Sequence, residues 1–327
     1  MSKVTIYSIA EELNISASTV SRAFSRPELV KADVRSQILS LAERLGYQPN
    51  KAARRLVTGK TGAIGLFVPD ITNPFMPPLV RAIQQAAVER DASVLLVDAE
   101  EDSRAEPGLI SRVAGQVDGL IIVSPRSASQ AIKQAIGGKP AVLANRVMEG
   151  VPSVVCDNTV ALRAAGDHLT GLGHRTIALL RGPSASWAAQ RRTEAVRSWA
   201  RRSDVELIEL GPVDASFEGG REGAAALAES AATAVFAFDD LAACGVVAGL
   251  ADRGLRVPRD RSVIGCDDVL LARVLTPSLT TITAPVDDLG LTAVRMLEEA
   301  IAGRTPESVR LPGSFVPRDS TGPATTP

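Results

Sequence analysis

The sequence predicts an α/β protein: a small helical head, then a body of two doubly wound parallel-sheet lobes. Three observations predict it. The first fifty residues hold three short amphipathic helices with caps and a tight turn between the first two. From residue 63 onward, apolar strand-like runs alternate with amphipathic helices, in two successive sets. Charge also divides unevenly: over residues 1–60 ten Lys and Arg meet five Asp and Glu, a surplus of five cations. The remainder carries six excess acids, because the whole chain sums to −1. A basic head on an acidic body points to an anionic partner for the head.

In the head, Thr5 is a good N-cap, and Ile6, Ile9, Ala10 and Leu13 fall at i, i+3, i+4 and i+7, one face of a helix over 5–13. Asn14-Ile15-Ser16 makes a three-residue turn, where Asn14 tolerates a left-handed backbone. Ser16 caps a second helix, 17–24, whose Val20 and Phe24 point inward with Ile15. Its opposite face presents Ala17, Ser18, Ser21 and Arg22. A third helix, 33–45, buries Val34, Ile38, Leu41 and Leu45, and Gly46 stops it. Two short helices around a tight turn, braced by a third, form a helix-turn-helix. In that motif the second helix enters the major groove of double-stranded DNA, where Arg22 can pair bidentately with guanine. A helical bundle with a merely solvated polar face is the alternative on spacing alone.

In the body, strands are expected at 63–68, 93–97, 119–123, 140–144 and 153–156, then at 176–180, 205–209, 233–237 and 262–265. Helices of 12–18 residues separate most of them, such as 75–91, 159–172, 187–202, 218–230 and 240–253. Such alternation gives parallel sheets with helices on both faces. Ligands of such sheets bind beyond the C-terminal ends of the strands. The polar groups that follow strands are therefore candidates: Asp70 and Asn73 with Phe75, Asn145, Asp239-Asp240, and Asp267-Asp268.

Over 3–320 the chain resembles the lactose-repressor/galactose-repressor family of bacterial transcriptional regulators. Thr5, Tyr7, Ile9-Ala10, Ser16, Thr19-Val20-Ser21-Arg22, Gly46-Tyr47, Pro49-Asn50, Ala53 and Leu56 match its head position by position. In the body "VPDITNPF", "HLTGLGHRTIALLRGP", "AVFAFDDLAACG", "DRGLRVPRDRSVIGCDDVLLARVLTPSLTTI" and "FVPRDS" carry the likeness. Two departures lie off the DNA face: Asn14 replaces a turn glycine and Lys31 a serine cap. The resemblance implies a helix-turn-helix domain (1–49), a hinge helix and linker (50–60), and a periplasmic-binding-protein-like effector and dimerisation domain (61–320). The lobe boundary then lies near 157–160, with return crossings near 284–310 and a disordered tail at 321–327.

The resemblance also implies roles. Ala17, Ser18 and Arg22 would read bases, while Thr5, Tyr7, Ser16, Ser21 and Asn50 would position the protein on phosphates. Residues 51–57, with Ala53, would form a helix on DNA against the dimer mate and wedge Leu56 into the minor groove. In the cleft Arg192 would clamp two ligand oxygens, Asp267 would accept from ligand hydroxyls, and Phe75 would supply an apolar face. Asn145, Ser186 and Trp187 would complete the site. Asp239 stands where the family usually has asparagine; Ala215 lies near a usual aromatic, whose surface Trp187 can replace. Together these imply a repressor that binds a pseudo-palindromic operator as a homodimer under a small sugar-like effector, with nucleosides or purines as alternatives.

Other classes find less support. Gly59-Lys60-Thr61 imitates the end of a phosphate-binding loop, but Arg54 stands where that loop needs glycine. His168 and His174 lack helical metal spacing; His174 reads as a cation at a helix C-terminus, and no metal or other cofactor is expected. No GxSxG elbow occurs, and nothing argues for an enzyme. Cys156, Cys244 and Cys266 read as buried thiols of a reducing compartment. The N-terminus lacks a signal-peptide profile and no apolar run reaches about 20 residues, so a cytoplasmic protein without membrane contact is expected. This also disfavours a transport-type solute-binding protein, which would need only the body. The tail has no leucine heptads, which favours a dimer over a coiled-coil tetramer.

Overall fold

Each helix of the head begins or ends where a side chain or a turn satisfies its backbone. The computed structural model describes residues 4–47 and 60–325, and it divides between Gly62 and Ala63 into two units. In the first unit, helix α1 (Ile6–Glu12) starts at a reciprocal cap: Ser8 N–H donates to Thr5 Oγ1, and Thr5 N–H to Ser8 Oγ. Asn14 has φ +52°, as the turn requires. Thr19 N–H donates to Ser16 Oγ at 3.1 Å and opens α2 (Ala17–Ser25). Helix α3 (Ala32–Arg44) receives no side-chain cap from Lys31 and ends before Gly46, at φ +64°. Ile9, Ala10, Val20, Ala23, Ile38, Leu41 and Ala42 form the core, with the tilted rings of Phe24 and Tyr47 on its edge, 5.6 Å apart. The expected hinge helix at 51–57, with Asn50, Ala53 and Leu56, lies outside the described residues.

The second unit holds two sheets. The first has six parallel strands in the order β11-β5-β4-β3-β1-β2: β1 (Ala63–Val68), β2 (Ser93–Asp98), β3 (Gly119–Val123), β4 (Ala141–Ala144), β5 (Ser153–Asp157) and β11 (Val309–Pro312). The second has four parallel strands in the order β7-β6-β8-β9: β6 (Thr176–Leu180), β7 (Glu206–Leu210), β8 (Ala234–Phe236) and β9 (Ser262–Ile264). Alternate residues serve opposite faces, as strand geometry dictates. Ile64, Leu66 and Val68 of β1 enter one core and Phe67 the other. Ile177 and Leu179 of β6 divide from Ala178 and Leu180 in the same way. Helices cover both faces, so the expected doubly wound class is the observed one.

The connecting helices of the first lobe are α4 (Met76–Val88), α5 (Glu106–Ala114) and α6 (Ser129–Ile136). Those of the second are α7 (Thr159–Gly171), α8 (Trp187–Arg202), α9 (Phe217–Glu229), α10 (Asp240–Ala251) and the short α11 (Leu270–Val274). Helix α12 (Val286–Ile301) returns to the first lobe and packs on α4, delivering β11 to the edge of that sheet. The strand pair β10 (Thr281–Ile282) and β12 (Phe315–Val316) closes the second lobe. The chain thus passes between lobes three times, and the passing segments are bonded together. Gly313 N–H donates to the Asp157 carbonyl and Thr283 N–H to the Ser314 carbonyl. Only glycine fits at 313, where a Cβ would stand 2.4 Å from Asn158 Oδ1.

Two expectations need correction. His174 is no surface cation at a helix end. It is buried, its ring bonded to Thr233 Oγ1 at 2.7 Å and to the Gly322 carbonyl at 3.0 Å, and burial pushes its pKa down. Residues 321–325, expected as disordered tail, lie against the second lobe. Gly322 N–H donates to Ser262 Oγ and Ala324 N–H to the Leu172 carbonyl. The neutral imidazole supplies the donor that this turn of chain needs. No helix among the described residues is long and apolar enough to cross a membrane.

Candidate binding cleft and helix-turn-helix face

Strand ends of both lobes converge on one cleft that is open to solvent. The first lobe contributes Asn145 after β4, Cys156 and Asp157 at the end of β5, and Arg310 of β11. The second contributes Trp187 and Arg192 from α8 and Asp267 after β9. Asn158, at the first crossing, lies between the two sets.

The floor is an ion pair. Arg192 Nη2 donates to Asp267 Oδ1 at 2.5 Å, with both side chains about nine-tenths buried or close to it. Arg192 Nη1 donates to the Phe238 carbonyl at 2.7 Å, and the guanidinium carbon sits 5.2 Å from the Phe238 ring centre. One fork of the guanidinium is thus fixed by the backbone and its plane by an aromatic face. Burial alone would lower the Arg192 pKa, but the nearby carboxyls, Asp267 foremost and then Asp239, hold it above its ordinary value. For Asp267 burial dominates, raising its pKa against the lowering effect of Arg192.

Two of the cleft's residues have left-handed backbones: Asn145 at φ +52° and Asp267 at φ +111°. Asparagine tolerates its angle well, whereas +111° strains any residue with a Cβ, at a cost of about 1–3 kcal/mol. The strained turn aims the carboxylate into the cleft while Asp267 N–H still donates to the Ile282 carbonyl at 2.7 Å. Asn145 Oδ1 accepts from Cys156 N–H at 3.0 Å, which fixes the amide plane across the ends of β4 and β5. Burial pushes the Cys156 thiol up to about 12, so it remains protonated.

Beside the floor lie two further carboxyls. Asp239 caps α10, accepting from Ala242 N–H at 2.8 Å. Burial first, then Asp267, pushes its pKa up to about 6. Asp240 is pushed up to about 7, mainly by burial, and accepts from Thr281 Oγ1 at 2.5 Å and Val269 N–H at 2.9 Å. Asp240 therefore ties β10 and α11 together inside the second lobe.

The structure brings Asn145, Trp187, Arg192 and Asp267 together around the cleft and holds Asp239 beside it. Of the other candidates, Asp70, Phe75 and Ser186 serve locally, and Asn73 reaches across the lobes. Asp70 Oδ1 accepts from Thr72 N–H and Thr72 Oγ1, forming its own turn. Phe75 is buried in the core of the first lobe. Ser186 is buried and caps α8 through Ala189 N–H. Asn73 accepts from Phe75 N–H and donates to Asp239 across the lobes. Residue-by-residue reading missed Phe238, Cys156, Asn158 and Arg310. The first acts through a carbonyl and the second through an amide, neither of which any side-chain motif reveals. Arg310 sits on a four-residue strand ending in proline, too short for its alternation to register.

On the head, Thr5, Tyr7, Ser16, Ser18 and Arg22 are exposed, and Ala17 and Ser21 are half-buried. Ser16 Oγ shares 2.8 Å hydrogen bonds with Ser18 Oγ and Thr19 Oγ1 besides capping α2. The first turn of α2 thus shows a row of small hydroxylated side chains followed by one long cation.

Comparison with known proteins adds the following. The family model described as bacterial regulatory proteins, lacI family, matches residues 5–50, and a periplasmic binding protein-like domain matches 166–321. Catabolite control protein A of Priestia megaterium is 33% identical, the match covering 97% of this chain and 99% of that protein. A crystal structure of the Lac repressor dimer bound to operator and the anti-inducer ONPF has a TM-score of 0.84. It is 28% identical and covers 98% of this chain and 100% of that one. A LacI family transcriptional regulator from Enterococcus faecium with bound ribose has a TM-score of 0.71 at 34% identity, covering 80% of this chain and 100% of that one.

Proposed function

The chain belongs to the lacI family of bacterial regulatory proteins, and from that premise we propose how it acts. It is a repressor that binds a pseudo-palindromic operator as a homodimer in the cytoplasm. A small polyhydroxylated effector in the cleft of each subunit sets its affinity. One observation carries this reading: a helix-turn-helix face bearing Arg22 and a two-lobed cleft floored by Arg192 and Asp267 occur in one chain. A hydroxyl-rich ligand suits the floor, because a carboxylate accepts from vicinal hydroxyls while the guanidinium and the Asn145 amide donate to their oxygens. Trp187 offers a ring face for the sugar carbons.

One reading head buries too little surface for strong discrimination, so two-fold symmetry on the operator is required. Apolar side chains that a monomer leaves bare are available for pairing: Leu95 and Leu96 on edge strand β2, and Leu270 and Val274 on α11. The ligand acts only through its preference for one lobe arrangement over the other. Residues 50–57, between reader and sensor, are where that preference reaches DNA.

Fluorescence anisotropy with palindromic duplexes tests the DNA half, binding weakening steeply with added salt. Arg22→Ala should cost about 1–3 kcal/mol on a cognate duplex and much less on scrambled DNA. An equal loss on both would reduce Arg22 to a phosphate contact; no salt-dependent binding at all would sink the reading. Thermal-shift screening with sugars, nucleosides and purines tests the other half. Asp267→Asn should keep operator binding but lose the response to any ligand found, and a retained response refutes its assignment.

A further inference from the structure

Among the described residues and away from the three crossing segments, one side-chain hydrogen bond joins the lobes, near the apolar contact that Val269 and Leu271 make with the first-lobe core: Asn73 Nδ2, after β1, donates to Asp239 Oδ2, at the start of α10. At 3.4 Å it is long, and both partners are committed elsewhere. Asn73 Oδ1 accepts from Phe75 N–H at 3.0 Å, and Asp239 Oδ1 from Ala242 N–H at 2.8 Å. The contact therefore has one polarity only. Asn73 cannot turn its amide over without abandoning Phe75, and Oδ2 is the carboxyl oxygen left to receive a proton. A proton there converts the acceptor facing Asn73 into a donor facing a donor.

The surroundings favour such a proton. Asp239 is 3% exposed. It faces Asp267 from the turn after β9, Arg192 from α8, and Asp240 and Cys244 on its own helix. Arg192 is the one cation among these groups, and its hydrogen bond goes to Asp267. Asp239 and Asp267 share one guanidinium, and Asp240 adds a third carboxyl beside them, so full ionisation leaves buried negative charge uncompensated.

We propose that the Asn73–Asp239 contact is a proton-sensitive latch between the lobes, holding while Asp239 is a carboxylate and loosening when Oδ2 takes up a proton. The latch midpoint follows the Asp239 carboxyl, which burial and Asp267 push up to about 6. The latch would stand whatever occupies the cleft. Its consequence, a ligand response that shifts with intracellular acidification, rests on the function proposed above.

Amide hydrogen exchange on the full chain without ligand or DNA tests the latch separately from that function. Exchange is followed from pH 7.5 to 5.0 in peptides spanning 73–77 and 240–244, with intrinsic rates divided out. The latched fraction should fall about tenfold over this range for a midpoint near 6, and protection of Phe75 and Met76 should fall with it. That readout lies on the opposite lobe from the titrating group, where a mere loss of the α10 cap has no effect. Asp239→Asn should abolish the pH dependence, while Asp240→Asn should retain it. A flat wild-type profile, dependence persisting in Asp239→Asn, or dependence lost in Asp240→Asn would each overturn the latch. Should Asp239→Asn not fold, Asn73→Ala serves instead: Met76 should exchange fast at every pH, and a surviving dependence overturns the proposal.

Discussion

Arg192→Ala should destabilise the second unit by about 3–5 kcal/mol, because it strands buried carboxylates rather than merely deleting a contact. In the native floor the guanidinium meets Asp267 at 2.5 Å and the Phe238 carbonyl at 2.7 Å, and its field reaches Asp239. Removal leaves Asp267 in a strained turn with no counter-ion and the Phe238 carbonyl without its donor. The loss should depend on pH, and its sign follows from the shifts. Asp267 and Asp239 already have raised pKa values, and Arg192 is what lowers them; without it both rise further. A raised folded-state pKa gives stability that is full below the unfolded value of 3.8 and is lost as pH rises through the folded value. The gap between variant and wild type should therefore be widest near pH 7.5 and narrow towards pH 5. Urea unfolding at both values measures it, read from the midpoint at constant slope. The double change Arg192→Met with Asp267→Asn should recover most of the loss. A gap equal at both pH values would mean that the cost is packing and not stranded charge.

That argument also marks what was legible in the sequence. Strands and helices were readable because their periods differ: "AIGLFV" is a continuous apolar run, whereas α8 repeats its buried positions at Ala189, Thr193, Val196 and Ala200. Asp267 and Asn145 were accessible because they immediately follow such runs, where ligands of parallel sheets gather. The same logic also selected Asp70, as the resemblance selected Ser186, and these proved to be residues that cap a turn and a helix. A polar side chain after a strand looks identical in sequence whether it bonds a ligand or its own backbone. Only the direction of the neighbouring chain separates them. Arg192 depended on family resemblance, since an arginine inside "QRRTEAVRSWARR" has several equivalent neighbours. The Phe238 carbonyl that selects Arg192 among them is invisible before the chain is folded. The docking of residues 321–325 was hidden for a related reason. "TGPATTP" is composed like a linker, and the contacts of its first residues depend on Ser262 and His174, far away in sequence.

The largest packing effect should come from Gly245→Ala. Helices α9 and α10 approach so closely that their glycines meet backbone. A Cβ on Gly245 would stand 2.0 Å from the Phe217 carbonyl oxygen and 2.8 Å from Arg221 N. One on Gly220 would stand 2.0 Å from the Ala242 carbonyl oxygen, and one on Gly249 2.7 Å from the Arg221 carbonyl oxygen. No rotamer relieves such a clash, because neither partner is a side chain. Alanine at 245 should therefore cost about 3 kcal/mol, at the upper end for overpacking, despite its better helix propensity. Gly108→Ala is the control: it is also helical, with nothing within 4 Å, and should stabilise by about 0.5–1 kcal/mol. If the two variants shifted the urea midpoint alike, the close approach would be refuted. The damage should extend to the cleft. Asp239 caps α10 and Asp240 is its first residue, so a helix pushed off α9 draws both carboxyls away from Asn73, Thr281 and Val269. Gly245→Ala should consequently loosen exchange at Phe75 and Met76 on the opposite lobe, at pH 7.5, to the level that wild type reaches only on acidification.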